Sequence, residues 1–159
     1  MAGGQSTSAP SRACSRKGAS AVNDFEGSPE YKFADWARRH LPSKTIGVYT
    51  VWRNADLLYA GMSANLQERL DAHASGRRSG DQFNVYVCDR LIIPTLTPEQ
   101  LRDIGRGDLS LDRMTREYIR EKLTYRYVVC RDKAEAVALE RAARAGQLSA
   151  GRPFLNPLR

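Results

Sequence analysis

Apolar residues recur along this chain with two periods, and each switch of period marks a new element. Residues 46–52 and 57–62 are rich in β-branched and aromatic side chains and read as two strands. A three-residue loop at Arg53-Asn54-Ala55 places Tyr49 opposite Tyr59 on one face of the hairpin. Residues 63–76 then take the helical period, with Ser63 as cap, Leu66 and Leu70 facing inward at i, i+4, and Gly76 closing the helix. Phe83, Val85 and Val87 alternate with Asn84, Tyr86 and Cys88, so residues 83–94 read as a third strand. Thr97-Pro98-Glu99-Gln100 is a capping box that opens a short helix to about Gly105, and a second helix follows over 110–122. Residues 125–129 form a fourth strand. Asp132 and Glu135 open a last helix to about Gln147, with Ala136, Leu139 and Ala143 as its core stripe and Glu140 at the edge of that stripe.

Upstream, Ser28-Pro29 is a helix start, and the helix is expected to run to about His40 and stop before Pro42. Residues 1–27 are rich in Gly, Ser and Ala and predict a disordered basic tail, whose Arg12, Arg16 and Lys17 suit contact with phosphates. The pattern predicts an α+β fold: a small, mainly antiparallel sheet of three to four strands flanked by helices.

Length and charge refine this picture. The 159 residues leave room for one domain with a core of its own. The net charge of +7 hints at a polyanionic partner, nucleic acid before membrane. Residues 1–45 hold seven Lys/Arg against four Asp/Glu, and residues 46–159 eighteen against fourteen, so the folded part is only mildly basic. Cys14, Cys88 and Cys130 are odd in number and lack CxxC spacing, which argues against a disulfide scaffold and for a reducing, cytoplasmic setting. No run reaches the length of a membrane span, so no membrane partner is expected.

The chemistry concentrates in residues 46–76. Arg69 and His73 stand at i, i+4 and project from one helix face. A guanidinium forks onto two phosphate oxygens and stays charged at any working pH, while an imidazole titrates near neutrality. Gly47-Val48-Tyr49, then Tyr59-Ala60-Gly61, then Arg69 and His73, with Glu140 in a late helix and Asn156 in a Leu-Asn-Pro terminus, resemble the GIY-YIG nuclease domain. The resemblance spans most of the chain, from residue 46 to residue 157. Valine stands for isoleucine in the first run and alanine in the second, and residues 95–122 look like a helical elaboration of the minimal domain.

The resemblance implies a Mg²⁺-dependent endonuclease acting on DNA, with Mn²⁺ as the alternative metal. Tyr49 and Tyr59 become the paired tyrosines, Arg69 the phosphate-binding arginine, Glu140 the metal ligand and Asn156 a supporting residue. His73 resembles a position that helps activate the nucleophile in some members. The residues leave open whether Tyr49 or His73 takes the proton. Gly47 and Gly61 are expected to shape the backbone. Arg77 and Arg78 in the 76–80 loop, and Arg102, Arg106, Arg113, Arg116 and Arg120 downstream, are candidates for gripping DNA. Taken singly, each residue also has a plain structural role, such as packing aromatics, a surface ion pair or a turn. Two other function classes stay open: a non-catalytic nucleic-acid-binding module and a regulatory subunit of the same fold.

Overall fold

A computed structural model describes residues 25–35, 41 and 43–157. Strands β1 (Tyr31–Lys32), β2 (Gly47–Arg53), β3 (Asp56–Ser63) and β4 (Thr124–Val129) form one antiparallel sheet in the order β1-β4-β2-β3. The described residues add the helices α1 (Leu66–Ser75), α2 (Gln82–Val87), α3 (Pro98–Arg106), α4 (Leu111–Lys122) and α5 (Lys133–Arg144). The α+β class with a small antiparallel sheet is therefore the observed architecture.

The sheet is covered on both faces. Tyr49, Val51, Leu58 and Tyr125 pack against Leu66, Leu70, Phe83, Val87 and Ile119, which belong to α1, α2 and α4. Val48, Leu57 and Ala60 pack against Ala136, Leu139 and Ala143 of α5. Full burial of a side chain such as Leu70 contributes about 1.5–3 kcal/mol, so the two apolar layers fix each helix against the sheet. In the 95–122 segment, α4 buries Thr115 and Ile119, whereas α3 buries no residue. Among the described residues no helix is long and apolar enough to cross a membrane.

Helix starts and stops follow local chemistry. Thr97 and Gln100 make both bonds of the capping box, Ser110 caps α4, and Asp132 accepts from Glu135 N at 2.8 Å. Gly76 closes α1 at φ 69°, with the Arg116 backbone pressed so close that a Cβ would collide with it. The cap of α1 is Asn65 rather than Ser63. Its side chain accepts from Glu68 N, and Ser63 instead braces the backbone of Asn65.

Three further expectations are corrected. Residues 83–94 are not a strand but α2, followed by a wide π-type turn (Cys88–Ile92) and a 3-10 turn (Ile93–Thr95). Phe83 and Val87 satisfy both periods, being four apart. The helical choice is set by Asp81, which caps the Phe83 and Asn84 amides, and by burial of Asn84 and Cys88 one helical turn apart. Residues 31–35 are not α-helical either: Tyr31 and Lys32 pair with Tyr125 and Thr124, and Phe33–Asp35 form a 3-10 turn. Tyr31 stacks on Tyr125 and Tyr127 at 5.5 and 5.6 Å, and Phe33 is fully buried, so tertiary packing overrides the helix-start signal. Residues 36–40, including His40, and residues 1–24 of the tail, with Arg12, Arg16 and Lys17, lie outside the described residues, while Phe25 at the end of the expected tail is buried in the core.

The third of these corrections concerns the hairpin. Arg53 pairs with Asp56, which leaves a two-residue loop with Asn54 at φ 56°, a conformation asparagine tolerates. Val51 pairs with Tyr59 and Trp52 with Leu57, so Leu58 is an extra residue in a β-bulge. Loop and bulge each shift the register by one. Tyr49 thus lies opposite Gly61, and Tyr59 is its diagonal neighbour on the same face.

Candidate active site

The bulged hairpin and α1 bring three rings together. Tyr49 of β2 lies 6.2 Å from Tyr59 of β3 and 5.3 Å from His73 of α1, between ring centroids. Phe83 closes the group, 4.5 Å from His73 and 5.2 Å from Tyr59. Gly61 is what lets Tyr49 lie there. A Cβ on Gly61 would sit 2.5 Å from the Tyr49 hydroxyl and 3.0 Å from the Tyr59 ring. Gly47, at the start of β2, is equally tight: its missing side chain admits the Val128 carbonyl and the tip of Leu66.

Two hydrogen bonds then run through the core. The Tyr49 hydroxyl is 2.8 Å from His73 Nε2, and His73 Nδ1 is 2.6 Å from Asp81 Oδ2. An ionised carboxylate only accepts, so Nδ1 carries the imidazole proton and Nε2 offers a lone pair; this tautomer is assigned from the network. The Tyr49 O–H accordingly donates to His73. The other oxygen of Asp81 accepts from Phe83 N at 3.0 Å.

The charges follow from burial. His73 is 1 % exposed, and loss of solvation holds its pKa below the ordinary imidazole value despite the stabilising carboxylate. Burial alone would raise Asp81, but His73 and the α2 amides outweigh it and hold that carboxyl below its usual range. Tyr49 is pushed well above the usual phenol value, first by burial and then by Tyr59. Tyr59, half-buried, is raised by burial, against the opposing pull of Arg144. The resting site therefore holds a neutral phenol, a neutral imidazole and a carboxylate.

The remaining expected residues surround this line. Arg69 is exposed, one turn ahead of His73, and its charge favours the tyrosinate form of both Tyr49 and Tyr59. The charge of Glu140, on α5, acts on both tyrosines in the opposite sense. Glu140 is 20 % exposed, and its Oε1 lies 3.5 Å from Arg144 Nη1. Asn156 is buried and bonds Ala60 twice: Oδ1 accepts from Ala60 N at 2.8 Å and Nδ2 donates to Ala60 O at 3.0 Å. The structure thus gathers Tyr49, Tyr59 and His73 in contact, sets Arg69 and Glu140 within electrostatic reach, and uses Asn156 to hold the strand behind Tyr59.

Glu140 and Asn156 also line a groove of about 410 Å³ together with Arg141, Arg144, Arg152 and Pro153. Among the described residues no group of three or more His, Cys, Asp or Glu side chains could hold a metal ion. A single partly exposed carboxylate still fits Mg²⁺, a hard cation that keeps water and takes oxygen ligands from phosphate.

Asp81 is the member of the hydrogen-bonded line that sequence reasoning missed. The signal was present, since Asp81 precedes Gln82-Phe83-Asn84 as a helix cap would, but the 83–94 alternation masked it. Arg102, one of the seven expected DNA-gripping arginines, is exposed on α3, and the other six fall into two groups. Arg78 is paired with Asp112 at 2.8 Å, Arg106 with Asp108 at 3.0 Å and Arg113 with Glu117 at 3.6 Å. Arg116 and Arg120 lie against the end of α1 through Gly76 and the Ala74 carbonyl, beside the exposed Arg77. Comparison with protein-family models, characterised proteins and solved structures returns no match for this chain.

Proposed function

We propose that this protein is a metal-dependent endonuclease of the GIY-YIG type that hydrolyses DNA phosphodiester bonds. The observation that carries the reading is the Tyr49–His73–Asp81 line, set between an exposed arginine and a lone carboxylate. A buried phenol needs an acceptor, but a backbone carbonyl serves as well as a neutral imidazole. The phenol does not need a carboxylate behind that imidazole.

In this reading the Tyr49 oxygen accepts a proton from the attacking water while its own proton passes to His73 Nε2. The neutral imidazole is the only member of the pair with a useful basicity near pH 7. Asp81 holds the ring orientation and stabilises the imidazolium that forms. General-base assistance of this kind contributes about 10²–10⁴ in rate. Arg69, outside the pocket, binds the scissile phosphate and stabilises charge on its oxygens. Glu140 would hold Mg²⁺ or Mn²⁺, which supplies charge stabilisation at the phosphoryl and leaving oxygens when bound. Tyr59 packs beside Tyr49.

The test is cleavage of supercoiled plasmid and of single-stranded, duplex, flap and junction oligonucleotides with Mg²⁺, Mn²⁺ or EDTA. Wild type runs beside Glu140→Gln and Arg69→Ala. Metal-dependent nicking lost in both variants is the expected result, and the preferred oligonucleotide names the substrate class. Wild type that binds DNA and cuts nothing with either metal is instead a binding module.

A further inference from the structure

We infer that the groove beside Glu140 is a subsite for a second phosphate of the nucleic-acid backbone, next to the one being cut. The inference rests on the nuclease reading for the nature of the ligand, and on the groove itself for the chemistry. Arg141 and Arg144 reach it from α5, and Arg152 from the closing segment. Among the described residues that line the groove only Glu140 is acidic, and it lies 3.5 Å from Arg144. Arg141 and Arg152 have no carboxylate partner among the described residues. That separates them from the arginines of the α3–α4 side, where Arg78, Arg106 and Arg113 are already paired with acids.

Arg152 is also placed rather than loose. Its Nε donates to the Ala145 carbonyl at 3.4 Å. Its stem crosses Gly146, which turns the chain at φ 86°, and a Cβ on Gly146 would lie 2.8 Å from Arg152 Cγ. The turn after α5 therefore holds the guanidinium over the groove. Guanidinium forks that line one open groove match the tetrahedral oxygens of a phosphate. A phosphate held there shares the groove with Glu140, and this sets the distance from the gripped phosphate to the reacting one. Arg144 has a double part: it balances Glu140 at rest, and its charge also reaches Tyr59.

The shared chemistry is a phosphate anion, and its source is either the nucleic-acid backbone or a free phosphate compound. The experiment measures binding of a labelled duplex oligonucleotide in EDTA across a salt series. Wild type is compared with Arg141→Gln/Arg152→Gln, both surface positions. A control of equal charge loss is Arg53→Gln/Arg131→Gln, whose arginines pair with Asp56 and Glu135. Each lost phosphate contact lowers the slope of log K against log salt by roughly one. The groove pair gives up one phosphate and is expected to lower it by about one, and the control by much less. Equal slopes for wild type and the groove pair overturn the proposal, as does an equal drop in the control or a wild type that does not bind. Inorganic phosphate that binds wild type but not the groove pair, with oligonucleotide binding unchanged, reassigns the groove to a free phosphate compound and overturns the backbone source. Loss of binding in the groove pair from a wild type that cuts nothing with any metal keeps the subsite and removes the nuclease.

Discussion

His73 and Asp81, eight residues apart in sequence, meet at 2.6 Å because α1 ends at Gly76 and α2 begins at Asp81. The loop between the two helices thus does more than connect them. It returns a helix-capping aspartate to the face of the preceding helix, where the same carboxylate caps one helix and orients a side chain on the other.

Asp81→Asn separates those two duties. Asparagine caps helices as well as aspartate does, so the fold should persist, with stability lowered only by loss of the charge-assisted bond to His73. Its amide donates toward Nδ1, however, and the ring adopts the other tautomer, with an N–H on Nε2 facing Tyr49. In Ser-His-Asp sites the equivalent swap lowers rate by roughly 10⁴, and a loss of about 10²–10⁴ is expected here. Cleavage at near wild-type rate by a well-folded Asp81→Asn protein would refute the relay.

Acid should destabilise the fold before it denatures it. The unfolded chain binds the proton that the buried imidazole refuses, so the contribution of His73 is fully present above pH about 6.5 and is lost as pH falls toward the lower folded value. Asp81, also depressed, adds a loss of the same sign at lower pH, below its ordinary carboxylate range. Urea unfolding at a series of pH values should show falling stability below about 6.5, and a His73→Phe protein should lose that first part of the slope. A wild-type profile flat between pH 7.5 and 5.5 would mean that His73 titrates normally.

Gly61 and Gly105 make a contrast. Gly61→Ala drives a methyl into the Tyr49 hydroxyl and should cost about 1–3 kcal/mol together with most of the activity. Gly105 lies inside α3 with open space around it, and Gly105→Ala should stabilise by about 0.5–1 kcal/mol without touching activity. Thermal melts of the two proteins decide it. Equal tolerance at both positions would show that the Tyr49 ring has room to move.

Asn156→Ala leaves the Ala60 amide and carbonyl without their side-chain partner in a buried place. A cost of about 1–3 kcal/mol follows from the unsatisfied group, and more than that if both atoms stay dry. Chemical denaturation of the variant measures the loss. A change within error would mean that water replaces the amide there.

Much of the site was legible because it is local. The hairpin, α1 and its Arg69–His73 spacing depend on neighbours in sequence, and these appear where periodicity places them. What escaped is non-local or degenerate. Phe83 and Val87 fit a strand and a helix equally, so the choice rested on Asp81 and on Asn84, whose amide reaches the Ala72 and Arg77 carbonyls. The fate of Tyr31 was decided by Tyr125, some ninety residues downstream, which no local signal reports. The diagonal placing of Tyr59 turned on a single extra residue, Leu58. The groove arginines were passed over because Arg144 reads as an i, i+4 partner of Glu140, and Arg152 lies in an irregular terminus.

The closing segment has one further consequence. Phe154 N donates to the Leu57 carbonyl and Leu155 N to that of Leu58, while Asn156 holds Ala60. β3 is the outermost strand on its side, so these few residues act as a seal on an otherwise open backbone edge. A chain cut before Pro153 would present that edge, with Leu57, Leu58 and Ala60 along it, to any other copy. Shortening the terminus should therefore turn a discrete protein into one that self-associates by strand addition, and light scattering of the truncated chain would reveal it as concentration-dependent growth.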